Sequence, residues 1–175
     1  MAPDSVERQS LELMSDSPAQ TRWLGAQLGE LLTGGEVICL EGDLGTGKTT
    51  LTQGIGHGLG ISQPIISPTF TLIREYPSPA GRPSLYHIDF YRLDRAQEFT
   101  TLGLDDYLYG EGVCVIEWAE KAAMLLPIER LWITMNYVSQ GARHLLLVAA
   151  GRQHLDLLQR FREVLAGEQV CDPGH

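Results

Sequence analysis

The most constraining stretch of this chain is Gly42-Asp43-Leu44-Gly45-Thr46-Gly47-Lys48-Thr49. Its spacing is G-x-x-x-x-G-K-[ST], a phosphate-binding loop. The glycines let successive backbone N–H groups turn inward around an anion. Lys48 has the length to reach the β- and γ-phosphates of a nucleotide, and the Thr49 hydroxyl suits a magnesium ion. Asp43, Leu44, Gly45, Thr46, Gly47 and Thr50 are the remaining residues expected around the phosphates. Such a loop needs a buried strand before it and a helix after it. Residues 36–41 form a short apolar run that reads as that strand. Leu51, Ile55 and Leu59 then fall on one helical face. That helix would point the positive end of its dipole at the loop. The chain has only two lysines, Lys48 and Lys121, and one of them lands here.

Composition sets the outer bounds. At 175 residues, 43% hydrophobic and 20% charged, the chain is expected to form one domain over 1–175, with 1–8 and 167–175 as disordered tails. No run approaches the ~18 apolar residues of a membrane helix. The start has no basic segment followed by an apolar stretch, so no signal peptide is expected and a cytoplasmic location is. Three cysteines, Cys39, Cys114 and Cys171, have no ligand spacing and read as small apolar side chains in a reducing compartment. A net charge of −9 repels nucleic-acid backbones, so direct RNA or DNA binding is not expected.

The remaining pattern is mixed α/β. Residues 10–14 alternate like a short strand. Ser17 caps a helix with Pro18 in its first turn and Gln20 completing a capping box. Leu24, Leu28, Leu31 and Leu32 form its buried stripe, and Gly34-Gly35 ends it. Residues 70–76 and 85–91 alternate and pair as a hairpin across the proline-rich loop 77–83. Short helical patterns follow around Phe99, Leu102, Leu104, Tyr107 and Leu108. Residues 112–118 are the second continuous apolar run, a buried parallel strand. Residues 119–126 read as a helix that stops before Pro127. Residues 131–138 and 143–149 form a second hairpin, and 154–165 an amphipathic terminal helix. The expected fold is a P-loop NTPase-like three-layer α/β sandwich, whose mixed sheet has a parallel core and antiparallel hairpins.

The phosphate loop needs acids. Glu117 ends the strand at 113–116, and Asp89 lies on the strand at 85–91. One of them is expected to hold Mg²⁺, directly or through water, and the other to orient or deprotonate the attacking water. The residues themselves leave the assignment open. Ser67-Pro68-Thr69 sits in a proline-stiffened loop, where the Thr69 hydroxyl is placed to sense a γ-phosphate or simply to cap a turn. His87 reads as a packed, hydrogen-bonded histidine or as a functional one, and Trp118 as a core residue or a cover for the site.

The set of motifs resembles the TsaE (YjeE) family, small bacterial P-loop ATPases of tRNA threonylcarbamoyladenosine synthesis. The resemblance rests on Gly-Asp-Leu-Gly-Thr-Gly-Lys-Thr-Thr (42–50), Ser-Pro-Thr-Phe-Thr-Leu (67–72), His-Ile-Asp-Phe-Tyr-Arg-Leu (87–93), Leu-Gly-Leu (102–104) and Ile-Glu-Trp (116–118). It runs from about Asp16 to Arg143. It implies ATP and Mg²⁺ at the loop, and switch segments at Ser67-Pro68-Thr69 and around His87. It also implies Thr49 and Glu117 as metal-side ligands, Asp89 as the acid needed for hydrolysis, and Trp118 as a functional neighbour. Ser17 would lie near the adenine, and Arg143 would approach the nucleotide. The family implies docking on the TsaB–TsaD pair, which modifies adenosine 37 of tRNA. Ala119 replaces the proline that often follows Glu-Trp in the family. The alternatives are a small-molecule kinase, for which no arginine-rich lid is visible, and a non-enzymatic nucleotide-gated module. A GTPase is disfavoured, because no Asn-Lys-x-Asp-type segment is present.

Overall fold

The computed structural model describes residues 6–68, 72–95, 98 and 102–170. The readings placed on Thr69, Phe99 and Cys171 lie outside the described residues, as do the ends 1–5 and 171–175. Seven strands form one sheet: β1 (Arg8–Ser15), β2 (Val37–Glu41), β3 (Ile73–Tyr76), β4 (Leu85–Asp89), β5 (Val113–Glu117), β6 (Arg130–Tyr137) and β7 (Arg143–Ala150). Their order is β1-β7-β6-β2-β5-β4-β3. Strands β6, β2, β5 and β4 run parallel, while β7, β1 and β3 pair antiparallel. Within the parallel set, the central pair β2 and β5 are the continuous apolar strands: Val37–Leu40 and all of β5 are buried. Both faces of that core are covered, as parallel sheets require.

Helices α1 (Pro18–Leu31), α2 (Lys48–Gly58) and α4 (Arg152–Val170) cover one face. The other face carries α3 (Leu104–Leu108) and a 3₁₀ segment at Ala119–Leu125. The helical reading of 119–126 is corrected here. Ala122 breaks the helical backbone (φ −140°), and the segment is a kinked 3₁₀ turn. Two ends also differ from expectation. Arg8, expected in a loose tail, belongs to β1 because β7 supplies ladder partners as far as Ala150. Residues 167–170, expected in a disordered tail, continue α4, since no proline intervenes before Pro173. The β3–β4 hairpin forms, but β4 ends at Asp89 rather than at Tyr91.

The contact between α1 and α2 fixes the position of the phosphate loop. Gly25 and Gly29 of α1 face Gly54 and Gly58 of α2 so closely that no side chain fits. A Cβ on Gly25 would lie 2.4 Å from the Leu51 carbonyl oxygen, and one on Gly54 would lie 2.1 Å from that of Arg22. Arg82, from the proline-rich loop, donates to the Gly29 and Gly58 carbonyls at 3.2 and 2.6 Å, tying the last turns of both helices together.

Candidate nucleotide site

The loop between β2 and α2 turns through Gly45 (φ +82°) and Gly47 (φ +102°), conformations that L side chains rarely adopt. Gly42 packs on β6, where a Cβ would meet the Met135 carbonyl oxygen at 2.5 Å. Thr46 is buried, and its hydroxyl donates to the Asp43 carbonyl at 2.9 Å, closing the turn from inside. Leu44 projects outward and is 70% exposed. The loop therefore presents main chain, rather than side chains, to whatever it holds.

A cavity of about 360 Å³ opens beside it. Lys48, Thr49, Thr50, Ser67, Asp89 and Glu117 line it, and Tyr91 and Trp118 form an aromatic wall. Strand register brings the acids together: Asp89 of β4 lies opposite Glu117 of β5. Alternation along β4 turns Leu85, His87 and Asp89 to the α2 face, while Ile88 and Phe90 pack on the other face. Asp89 and Glu117 are only 5% and 3% exposed, so their carboxylates need partners. Glu117 Oε1 accepts the Thr49 hydroxyl at 2.9 Å, and Oε2 meets His87 Nε2. Asp89 Oδ2 accepts the Ser67 hydroxyl at 2.9 Å, and Oδ1 accepts the Tyr91 N–H at 2.8 Å. Pro68 is buried, and its carbonyl accepts the Leu72 N–H at 3.0 Å.

Lys48 is folded back on its own loop. Its Nζ donates to the Gly42 and Asp43 carbonyls at 2.6 and 2.9 Å and lies 4.2 Å from the centre of the Trp118 ring. Burial pulls its pKa below the ordinary lysine range, against the opposing pull of Glu117, Glu120, Asp89 and Asp43. Trp118 holds this place from a left-handed backbone (φ 59°) and packs against Tyr91. Lys121, the other lysine, donates to the Tyr91 and Leu93 carbonyls, so it braces the segment after Asp89.

A second, smaller hollow of about 90 Å³ lies on the far side of the loop, between Ser17, Thr21, Thr50 and Arg143. Ser17 caps α1, accepting the Gln20 N–H at 3.1 Å, and Gln20 reaches back to the Asp16 N–H. Arg143 borders the hollow, but its guanidinium is bound to the Ser139, Gln140 and Ala142 carbonyls and stacks on Tyr137. Tyr137 is a site residue that sequence reasoning missed. Its hydroxyl donates to the Leu44 carbonyl at 2.8 Å and closes over Gly45. Its only signal was a tyrosine at the end of a strand adjoining the loop strand. Glu120 was also missed. Burial raises its carboxyl above the usual range, aided by Glu41, while Lys48 and Lys121 act in the other direction.

The family model described as "Threonylcarbamoyl adenosine biosynthesis protein TsaE" matches residues 15–145, a span that contains every site residue named above. The chain belongs to the TsaE family. Relatives described as tRNA threonylcarbamoyladenosine biosynthesis protein TsaE include that of Bacillus subtilis, 41% identical over 79% of this chain and 85% of its own length. Another, from Nostoc, is 50% identical over 69% of this chain and 74% of its own length. That of Treponema pallidum is 41% identical over 77% and 98%. A crystal structure of Bacillus subtilis YdiB superposes with a TM-score of 0.78 at 35% identity, covering 91% of this chain and 98% of that one. TsaE proteins belong to the biosynthesis of threonylcarbamoyladenosine in tRNA. In this TsaE-family chain, no helix among the described residues is long and apolar enough to cross a membrane.

The donor set fits a nucleotide-borne magnesium ion. Among the described residues no group of three or more His, Cys, Asp or Glu side chains is arranged to hold a metal alone. Thr49 and Glu117 offer two hard oxygens at the mouth of an amide cradle, which is the arrangement for a metal completed by phosphate oxygens and water. Cys39 and Cys114 offer nothing to such a site. Both are buried in strands, and burial pushes their thiols up to about 12.

Proposed function

We propose that this TsaE-family chain is a magnesium-dependent ATPase, slow on its own, that acts in the cytoplasm as an accessory subunit of the TsaB–TsaD pair modifying tRNA adenosine 37. The observation that carries the reading is the contact of the Thr49 hydroxyl with Glu117 Oε1, at the phosphate loop and one strand away from Asp89. The loop amides and Lys48 bind the triphosphate. Lys48 exchanges its two carbonyl partners for phosphate oxygens, and Trp118 keeps water from its ammonium on the ring side. Magnesium, when bound with the nucleotide, supplies charge neutralisation between the phosphates. Thr49 and Glu117 are its protein ligands. Asp89 orients the attacking water and takes its proton on a lone pair left free by Ser67 and the Tyr91 N–H. Through its bond to Asp89, Ser67 links the first switch segment to the state of the site. The charge of −9 favours a protein partner over direct contact with tRNA.

Calorimetry with ATP and Mg²⁺ tests the cradle. Lys48→Ala is expected to weaken ATP binding by about tenfold or more, the worth of one charge-assisted hydrogen bond. Turnover measured with and without TsaB and TsaD tests the rest. Stimulation by the pair supports the accessory role, whereas equal rates or no association would refute it.

A further inference from the structure

His87 is 0% exposed, deeper than Lys48 or either acid. It lies on β4 beneath the first turn of α2, on the same strand face as Asp89. Its Nε2 meets Glu117 Oε2, while the other oxygen of that carboxylate accepts the Thr49 hydroxyl. A ring nitrogen set against a carboxylate oxygen carries the hydrogen, because two lone pairs would repel. The other nitrogen, Nδ1, is buried without a partner. Among the described residues the ring therefore has a single polar engagement, and that engagement is Glu117.

A glutamate carboxylate turns freely about its last bond unless something holds it. His87 holds one oxygen of Glu117 from the buried side, and the second oxygen is directed at the Thr49 hydroxyl. Buried hydrogen-bond partners of this kind orient metal-ligating carboxylates in general. We propose that His87 is a positioning residue. By fixing Glu117 Oε2 it keeps Oε1 turned to the Thr49 hydroxyl, so that the pair is preset to receive magnesium carried by a nucleoside triphosphate. The inference rests on the reading of Thr49 and Glu117 as the metal-side ligands. It separates two properties that a purely structural histidine would move together: affinity for the bare triphosphate and the gain in affinity on adding magnesium.

The test is calorimetric titration of ATP into the intact chain, once with Mg²⁺ and once with EDTA. Three forms are compared: the natural chain, His87→Leu, which fills the space without a donor, and His87→Gln, which keeps an N–H at similar reach. If His87→Leu does not fold, His87→Ala takes its place. The Leu form is expected to bind ATP in EDTA within about twofold of the natural chain, yet to lose about tenfold or more of the magnesium gain. The Gln form is expected to recover the gain to within about threefold. A donor-free variant that keeps the full magnesium gain would overturn the proposal, and so would one that loses affinity equally in EDTA. A natural chain that binds ATP without any magnesium gain, or not at all, would instead overturn the assignment of Thr49 and Glu117 beneath it.

Discussion

The floor and the rim of the candidate nucleotide site are built by different physics. The floor is main chain against main chain: four glycines let α1 and α2 touch, and Gly42 presses on β6. Nothing there has a rotamer to change. The rim is made of side chains that have each found a partner inside the protein. Lys48 is on its own loop, Thr49 on Glu117, and Ser67 on Asp89. Trp118 of the rim holds left-handed backbone, as does Leu72, whose carbonyl accepts the Asp89 N–H beside it. A floor of this kind has little to reorganise. Under the proposed function, a rim of this kind acts only after exchanging partners, which is a physical reason to expect slow turnover by the chain alone.

The comparison breaks most sharply at Asp89. Asp89→Asn should lower ATP turnover by about a hundredfold or more, the worth of a general base, while calorimetry finds ATP affinity nearly unchanged. Equal losses in both would mean that the rim also binds. On the floor, Gly54→Ala should destabilise the fold by about 2–3 kcal/mol in denaturant unfolding, because the Arg22 carbonyl stands where the methyl would go. Gly167→Ala, in open space on α4, is the matched control. It should stabilise by about 0.5–1 kcal/mol through helix propensity.

A smaller effect concerns the strand that leads into the floor. His154 Nε2 accepts the Val37 N–H at 3.1 Å, and burial holds this histidine below its usual range. Below pH about 6.5 the unfolded chain takes up a proton that the folded chain resists. The stabilisation is therefore complete above that pH and fades as the solution is acidified. Melting temperatures at pH 7.5 and 5.5 should fall further for the natural chain than for His154→Gln, whose amide oxygen can still accept. Smallest of all is Leu72→Gly. Relief of about 1–2 kcal/mol of left-handed strain is offset by lost apolar contact of similar size, so thermal unfolding should barely move.

Much of the site was legible because its signals are local. The glycine spacing of 42–49 demands a cradle, and the apolar runs around Val37 and Val113 demand buried parallel strands. Asp89 and Glu117 could be singled out as acids near strand ends, and the register sets them side by side. The four-residue spacing of Gly25 and Gly29, repeated at Gly54 and Gly58, was also present in the sequence. It became meaningful only once two helices were known to cross there. The kinked 3₁₀ turn at Ala119–Leu125 was misread as a helix because Ala, Glu, Lys and Met all favour helix, and packing overrode that preference.

The sequence by itself determined the cradle, the core strands and the family, because each is written in spacing that short-range geometry enforces. Only the tertiary structure decided who holds whom. That Glu117 joins Thr49 to His87, that Ser67 occupies Asp89, and that Tyr137 bonds the Leu44 carbonyl are pairings across 68, 30, 22 and 93 positions of chain. No local pattern encodes such distances. They follow from sheet order and register, which bring the carboxyl ends of β2, β5, β4 and β6 together.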